Sequence, residues 1–225
     1  MEKYPVIFLD LDGVVNCCEC DKQLFVEMGF DEDAVYDFVS PFAIERISEI
    51  CKQTGAHVLL NGTCSKRVLE NEHESGYEFP DGTPLLEAMR MYNIPVDGYT
   101  FSLRDGDTTG SKMEGAAKYL YQHPEISGYV FLEDGKVTND EDKEKIVAKF
   151  PELQNIIKDM NEDKQIDTNR YSNDQIWGQP YGLCDNDVDK VVNTLFTQIN
   201  EAKQEVLSHN KKKIKPCNKY EVSLD

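Results

Sequence analysis

Two acidic residues follow a short apolar run near the start of the sequence. The residues from Val6 to Leu9 are all apolar, and Asp10, Leu11, Asp12 and Gly13 come directly after them. A continuous apolar run is typical of a parallel strand that is buried on both faces, and such strands end at loops that face a ligand. The two aspartates are therefore a first candidate metal site.

A second candidate metal site lies a few residues further along. Cys17, Cys18 and Cys20 form a cluster of thiols. A structural zinc ion needs four ligands, usually from two separated pairs, but these thiols are crowded and no second Cys or His pair stands at a usable spacing. We expect them to be small buried side chains or exposed thiols near the pocket. A zinc-stabilised interaction module built on the thiols remains an alternative.

Other polar groups follow two further apolar runs. Asn61, Gly62 and Thr63 come after the run 56–60, and Glu133 with Asp134 ends the run 128–135. The carboxyl ends of parallel strands meet at one edge of a sheet, so these groups are expected to lie close to Asp10 and Asp12. A set of ligands made of oxygen atoms alone favours Mg²⁺. Lys112, at the start of a predicted helix, adds a positive charge.

The elements that must position these groups alternate between strand and helix patterns. Ser40 and Pro41 are a helix N-cap and first turn, and Gly55 ends that helix. The alternation predicts an α/β fold, a Rossmann-like parallel sheet with helices on both faces. Strands are predicted at 6–12, 56–60, 96–102 and 128–135, with a candidate strand at 164–171; helices are predicted at 41–54, 85–92, 111–123, 140–150 and 185–207.

The composition restricts the class of protein. The 225 residues include 24 basic and 42 acidic ones, which gives a net charge of −18. Such a surface repels nucleic-acid phosphates on average, so no extensive nucleic-acid-binding surface is expected. No apolar stretch approaches the ~20 residues of a membrane span. The odd number of cysteines, seven, and the absence of a signal-peptide pattern favour a reducing, cytoplasmic location.

The motifs together resemble the haloacid dehalogenase (HAD) superfamily. The stretch "FLDLDGVVN" is similar to its first motif, Lys112 to its third and "LEDG" to its fourth. Within the superfamily, the subgroup labelled Swiss Army Knife RNA repair-like is the most similar. The segments that carry this resemblance are 40–60, 112–120, 129–135 and 181–195.

The resemblance implies a role for each residue. Asp10 would be the nucleophile that forms an aspartyl-phosphate intermediate, and Asp12 would be the general acid and base. Mg²⁺ would be held by Asp10, the backbone carbonyl of Asp12 and Asp134, with Glu133 as support or as an alternative ligand. Lys112 would offset negative charge on the phosphoryl group and on Asp10.

The second motif departs from the family pattern. The superfamily has Ser or Thr at the end of the second strand, where it hydrogen-bonds the phosphoryl group. Here Asn61 fills that place by strand position, and its amide can donate as a hydroxyl does; Thr63 could serve if the loop is offset. Asn61, Gly62 and Thr63 are therefore the predicted phosphate-binding residues. Lys118 and Lys66 are rivals of Lys112 for the catalytic lysine.

The segments 16–40 and 67–84 lie where the family carries cap domains. Both are too short for an independent domain, so a single HAD-like domain over 1–208 is predicted, with an open site and a lysine-bearing tail over 209–225. The function predicted is a Mg²⁺-dependent phosphatase that acts on a phosphorylated small molecule or a nucleic-acid end. The alternatives are a HAD-fold binding protein with weak or no turnover, or a polynucleotide-end or nucleotide phosphatase in nucleic-acid repair.

Overall fold

Five parallel strands form the central sheet of the computed structural model, in the order β3-β2-β1-β4-β5. The structure describes residues 3–16, 21–33, 37–70, 77–102, 111–169 and 182–213. Cys17, Cys18 and Cys20, the residues of the zinc alternative, lie outside these ranges. The strands are β1 (Tyr4–Leu9), β2 (His57–Leu60), β3 (Val96–Tyr99), β4 (Ile126–Glu133) and β5 (Gln165–Asp167).

Helices connect the strands and cover the sheet. They are α1 (Lys22–Glu27), α2 (Pro41–Thr54), α3 (Ser65–Leu69), α4 (Leu85–Met91), α5 (Lys112–Gln122), α6 (Asp140–Lys149), α7 (Gln154–Asp159) and α8 (Asp185–Lys213). No helix in the described ranges combines the length and the apolar character that a membrane crossing requires.

Strand β1 lies in the middle of the sheet and contributes to two cores. Ile7 and Leu9 pack in one buried cluster together with residues of α2, α4 and α8. Val6 and Phe8 pack in a second cluster together with residues of α5, α6 and α7. Because alternate side chains of a strand point to opposite faces, this division confirms the predicted Rossmann-like sheet with helices on both faces.

The predicted helix boundaries at α2 are confirmed by their caps. The Ser40 hydroxyl accepts a hydrogen bond from the Ala43 amide, Pro41 is the first helical residue, and Gly55 follows the helix with a φ of 69°. A positive φ costs glycine little because it has no Cβ. Helix α2 therefore turns into β2 within two residues, and the end of β2 is brought to the level of the end of β1.

Some elements differ in length from the prediction. Strand β3 ends at Tyr99 and not at residue 102, and β5 is limited to Gln165–Asp167. Helix α8 continues to Lys213, past residue 207. Its moderately apolar pattern gave no sequence signal for an end, since no Gly or Pro follows until Pro216. The proposed division of the chain at residue 208 stays a prediction.

Candidate active site

The register of three neighbouring strands brings the predicted site residues to one edge of the sheet. Leu9 of β1 lies opposite Leu60 of β2 and Leu132 of β4. The next residue of each strand or loop is Asp10, Asn61 and Glu133. The Asp10 amide donates to the Leu132 carbonyl at 2.9 Å, and the Asn61 amide donates to the Leu9 carbonyl at 2.7 Å. The three polar side chains therefore start from adjacent backbone positions.

Lys112 connects two carboxylates of this edge. Its Nζ atom lies 2.5 Å from Asp10 Oδ2 and 2.6 Å from Glu133 Oε2. Burial alone would lower the pKa of Lys112, but the charges of Glu133 and Asp10 and the hydrogen bonds to them outweigh burial, so its pKa is raised. Lys118, one of its predicted rivals, pairs instead with Glu114 at 2.6 Å. Lys66, the other, lies on α3.

Helix α5 reaches the site because it packs closely on the end of β3. Ser111 caps the helix by accepting a hydrogen bond from the Glu114 amide. A Cβ on Gly115 would lie 2.0 Å from the Thr100 carbonyl oxygen, so glycine is needed there. The close contact holds the first turn of α5, and with it Lys112, at the sheet edge.

Three carboxylates, called the acid group below, lie close enough together that they could hold a metal ion. One oxygen each from Asp10, Glu133 and Asp134 lie within 4.8 Å of one another. Burial and the charge of Asp10 raise the pKa of Glu133 well above its usual range, and the same two causes raise the pKa of Asp134 to about 6. Like charges at this distance repel unless a cation lies between them. The residues present thus fit a divalent cation with oxygen ligands.

Asp10 and Glu133 each have a protein donor on both carboxylate oxygens, and for Asp10 these donors are the Leu11 backbone amide and Lys112. The Oε2 atom of Glu133 accepts from Lys112, and its Oε1 atom accepts from the Asn61 side-chain amide at 3.3 Å. Asp134 is half-buried and borders a cleft of about 270 Å³, which is also lined by Lys112 and Lys136. Asp134 is thus the least buried of the three carboxylates.

Two side chains hold the Asp12 carboxylate in the loop that follows β1 (residues 10–16, the β1 loop). The Asp12 Oδ1 atom accepts hydrogen bonds from the Tyr77 hydroxyl at 2.7 Å and from the Asn16 side-chain amide at 3.0 Å. Burial, and then the hydrogen bond to Asp12, raise the pKa of Tyr77, so its hydroxyl keeps its proton. Gly13 has a φ of 69°, and a Cβ there would lie 2.3 Å from Asp134 Oδ2. Only glycine allows this turn beside Asp134.

Asn61, Gly62 and Thr63, which follow β2, differ in burial and in the groups that they contact. Asn61 is fully buried: its amide nitrogen donates to Glu133, and its amide oxygen accepts from the Thr100 hydroxyl at 2.9 Å. Gly62 passes so close to Asp10 that a Cβ would lie 2.6 Å from Asp10 Oδ1. Thr63 is half-buried. The Asn61 side chain thus points to Glu133, and Thr63 is the more accessible of the two.

Four residues that the sequence reasoning missed complete the site: Asn16, Tyr77, Thr100 and Thr168. The Thr168 hydroxyl, at the end of β5, lies within hydrogen-bond distance of the Gly13 carbonyl, at 3.0 Å, and of the Glu133 carbonyl, at 3.2 Å. Asn16 could have been found, because it stands four residues after Asp12 in a tight turn. Tyr77, Thr100 and Thr168 lie in segments whose sequence has no pattern that indicates where the side chains point.

A comparison with known families identifies the family of the chain. The model of the family described as the HAD domain in Swiss Army Knife RNA repair proteins matches residues 6–153. No curated protein and no solved structure matches the chain. The matched residues include the β1 loop, the end of β2, Lys112 and the acidic pair at the end of β4, and they make up more than half of the chain. The chain therefore belongs to the family of HAD domains found in Swiss Army Knife RNA repair proteins.

Proposed function

We propose that the protein is a Mg²⁺-dependent phosphatase that hydrolyses a phosphate monoester through Asp10. The observation that carries this proposal is the position of the Asp10 carboxylate, which lies beside the Lys112 ammonium group and within 4.8 Å of Glu133 and Asp134. A nucleophilic carboxylate needs positive charge nearby to approach an anionic phosphate. Lys112 supplies one such charge, and the acid group could hold the cation that supplies more.

The chain's own residues can perform both halves of the reaction. An Asp10 oxygen attacks phosphorus, the bond from phosphorus to the ester oxygen breaks, and that oxygen takes a proton from Asp12. The oxygen of a water molecule then attacks phosphorus while the water gives a proton to Asp12. The bond from phosphorus to the Asp10 oxygen breaks, so inorganic phosphate leaves and the Asp10 carboxylate is restored. Bound Mg²⁺ would neutralise charge on Asp10 and on the phosphoryl oxygens. Asp10 and Asp134 would hold it, with the Asp12 carbonyl and with support from Glu133.

The family points to a class of substrate. Its description names RNA repair, so a phosphorylated nucleic-acid end or a nucleotide is the first substrate to test, followed by a phosphorylated small molecule. The net charge of −18 argues against a long nucleic-acid contact, and an end group needs only a short one. A cytoplasmic location, expected from the cysteines, is part of this proposal.

One observation favours a second candidate function, a binding protein with weak or no turnover. Asn61 occupies the position where the superfamily has a hydroxyl, and its side chain is fully buried against Glu133. A phosphate group at the sheet edge then loses one of its usual donors. Thr63 must take over that contact if turnover is to be efficient.

The test is the release of inorganic phosphate with Mg²⁺ from nucleotides, end-phosphorylated RNA and DNA, and sugar phosphates. We expect the wild type to be active on at least one class, with loss of activity in EDTA and in Asp10→Asn. Asp140→Asn is a matched control because its carboxylate is 97% exposed and lies on α6, outside the acid group. Activity that survives Asp10→Asn refutes the aspartyl-phosphate route. If the wild type releases no phosphate from any ester, the result supports the second candidate function, a binding protein.

A further inference from the structure

We infer that Tyr77, which lies between α3 and α4, is a positioning residue that orients the Asp12 carboxylate for proton transfer to the leaving group. The inference rests on the proposed function and adds a residue to it. Tyr77 belongs to the short insert predicted over 67–84. A residue of that insert therefore contacts the site directly.

The contacts on Asp12 are asymmetric. The Tyr77 hydroxyl and the Asn16 side-chain amide both donate to Oδ1, at 2.7 and 3.0 Å. Within the described part of the chain no donor is found on Oδ2. Asp12 is exposed, whereas Tyr77 is only 7% exposed, so the hydroxyl reaches the carboxylate from the protein side. Oδ2 is consequently the oxygen left to carry the proton toward a substrate.

Two hydrogen bonds hold the backbone between Tyr77 and Leu85. The Tyr77 carbonyl accepts from the Leu85 amide at 2.9 Å, and the Phe79 amide donates to the Thr83 carbonyl at 2.8 Å. These bonds close a turn that begins right after Tyr77. The ring is therefore presented by a folded turn and not by a loose loop.

The same turn is joined to the β1 loop that carries Asp12. The Glu78 carbonyl accepts from the Val39 amide at 2.8 Å, and the Ser40 amide donates to the Val15 carbonyl at 2.8 Å. Asn16 and Val39 also form an antiparallel bridge. The two short inserts are thus connected to each other and to the β1 loop, which keeps the Tyr77 hydroxyl in register with Asp12.

The physical consequence concerns geometry at the moment of proton transfer. Two donors on one oxygen fix the plane of a carboxylate, and general acid catalysis depends strongly on the position of the proton. When the bond from phosphorus to the ester oxygen breaks, the Asp12 Oδ2 proton moves to that oxygen, and the electron pair of the broken bond stays with it. Tyr77 keeps its own proton and donates to Oδ1 throughout.

The test compares Tyr77→Phe with Tyr129→Phe. Tyr129 is a matched control because it is equally buried and its hydroxyl also donates to an aspartate, Asp159, at 2.9 Å, in a part of the molecule away from the site. For each variant, kcat/KM is measured on an aryl phosphate with a good leaving group, p-nitrophenyl phosphate, and on a primary alkyl phosphate with a poor one. A good leaving group needs little protonation, and a poor one depends on it.

We expect Tyr77→Phe to lower kcat/KM on the alkyl phosphate by roughly tenfold and on the aryl phosphate by less than about twofold. Tyr129→Phe should change neither value. Asn16→Ala removes the other donor to Oδ1 and should show the same split, which provides a second test if one variant folds poorly. In an Asp12→Asn background, Tyr77→Phe should have no further effect on either ester.

Three outcomes overturn the inference. Equal losses on both esters in Tyr77→Phe indicate a structural role for the tyrosine. Unchanged kcat/KM on both esters indicates no role in the reaction. A wild type that releases no phosphate from any ester overturns the proposed function, and the inference falls with it. The first two outcomes leave the proposed function intact, so the two failures are distinguishable.

Discussion

The Nζ atom of Lys112 lies 2.5 Å from Oδ2 of Asp10, although the two residues are 102 positions apart in the chain. The same ammonium group reaches Glu133, whose side chain is 1% exposed. One cation is therefore shared by two buried acids. This arrangement makes Lys112 both a part of the proposed reaction and a structural component of the sheet edge.

Replacement of Lys112 by alanine is expected to damage stability and activity together. The change leaves two buried carboxylates without their cation, so we expect the free energy of unfolding in urea to fall by about 2–3 kcal/mol, less than for a fully buried pair because the Lys112 side chain is 22% exposed. Phosphate release should fall on the order of 100-fold. Lys145→Ala is the control, because that lysine is 65% exposed and pairs with an exposed acid. Equal stability of the two variants contradicts the prediction.

Mg²⁺ is expected to raise the unfolding temperature of the protein, because its binding to the folded acid group would relieve repulsion between the carboxylates. Asp134→Asn should weaken Mg²⁺ binding by roughly tenfold or more in calorimetric titration, since it removes one charged ligand. The Asp140→Asn variant should bind Mg²⁺ as tightly as the wild type does, because Asp140 lies on α6 and is not part of the acid group. If the two variants bind Mg²⁺ equally, the metal is not held by Asp134.

Replacement of Gly62 by alanine should inactivate the protein through a steric clash. The new Cβ would lie 2.6 Å from Asp10 Oδ1 and 3.1 Å from the Leu11 amide nitrogen, so the Asp10 carboxylate, the proposed nucleophile, must move. A shift of this kind costs on the order of 100-fold in rate. A Cβ on Gly135 meets nothing within 4 Å, so Gly135→Ala should leave kcat unchanged. An active Gly62→Ala variant would mean that Asp10 tolerates displacement.

Asn61→Ala and Thr63→Val separate two roles for the segment after β2. Asn61→Ala leaves Glu133 Oε1 without its amide donor and the Thr100 hydroxyl without its acceptor, which should lower the free energy of unfolding by about 1–3 kcal/mol and reduce kcat. Thr63→Val should instead raise KM with little loss of stability, because Thr63 is only half-buried. Steady-state kinetics and urea unfolding check both. A raised KM with normal stability in Asn61→Ala would assign the phosphate contact to Asn61.

Much of the sheet edge could be predicted because strand ends carry their own signals. Apolar runs identified β1, β2 and β4, and parallel pairing requires that the residues after these strands lie at one edge. Asp10, Glu133 and Asp134 are brought together there, as expected. The alternation of strand and helix patterns also predicted that helices cover both faces of the sheet. The lengths of β3 and α8 were predicted less well, because neither element ends at a strong stop residue.

The directions of side chains could not be predicted in the same way. Tyr77 stands in a polar loop with no periodic pattern, and its contact with Asp12 spans 65 positions. It depends on the turn that begins after Tyr77 and on the bond between Glu78 and Val39. The orientation of Asn61 depends on competition among donors and acceptors in the folded site, where Glu133 and Thr100 both bind it.

The sequence by itself determined the class of fold, the family and the acids at the strand ends, because hydrophobic period and strand-end chemistry are local properties of the chain. Tertiary structure alone decided that Lys112 is shared by Asp10 and Glu133, that Asn61 points to Glu133, and that Tyr77 holds Asp12. Each of these contacts joins residues distant in sequence, and each depends on how helices and loops pack on the sheet, which no local pattern records.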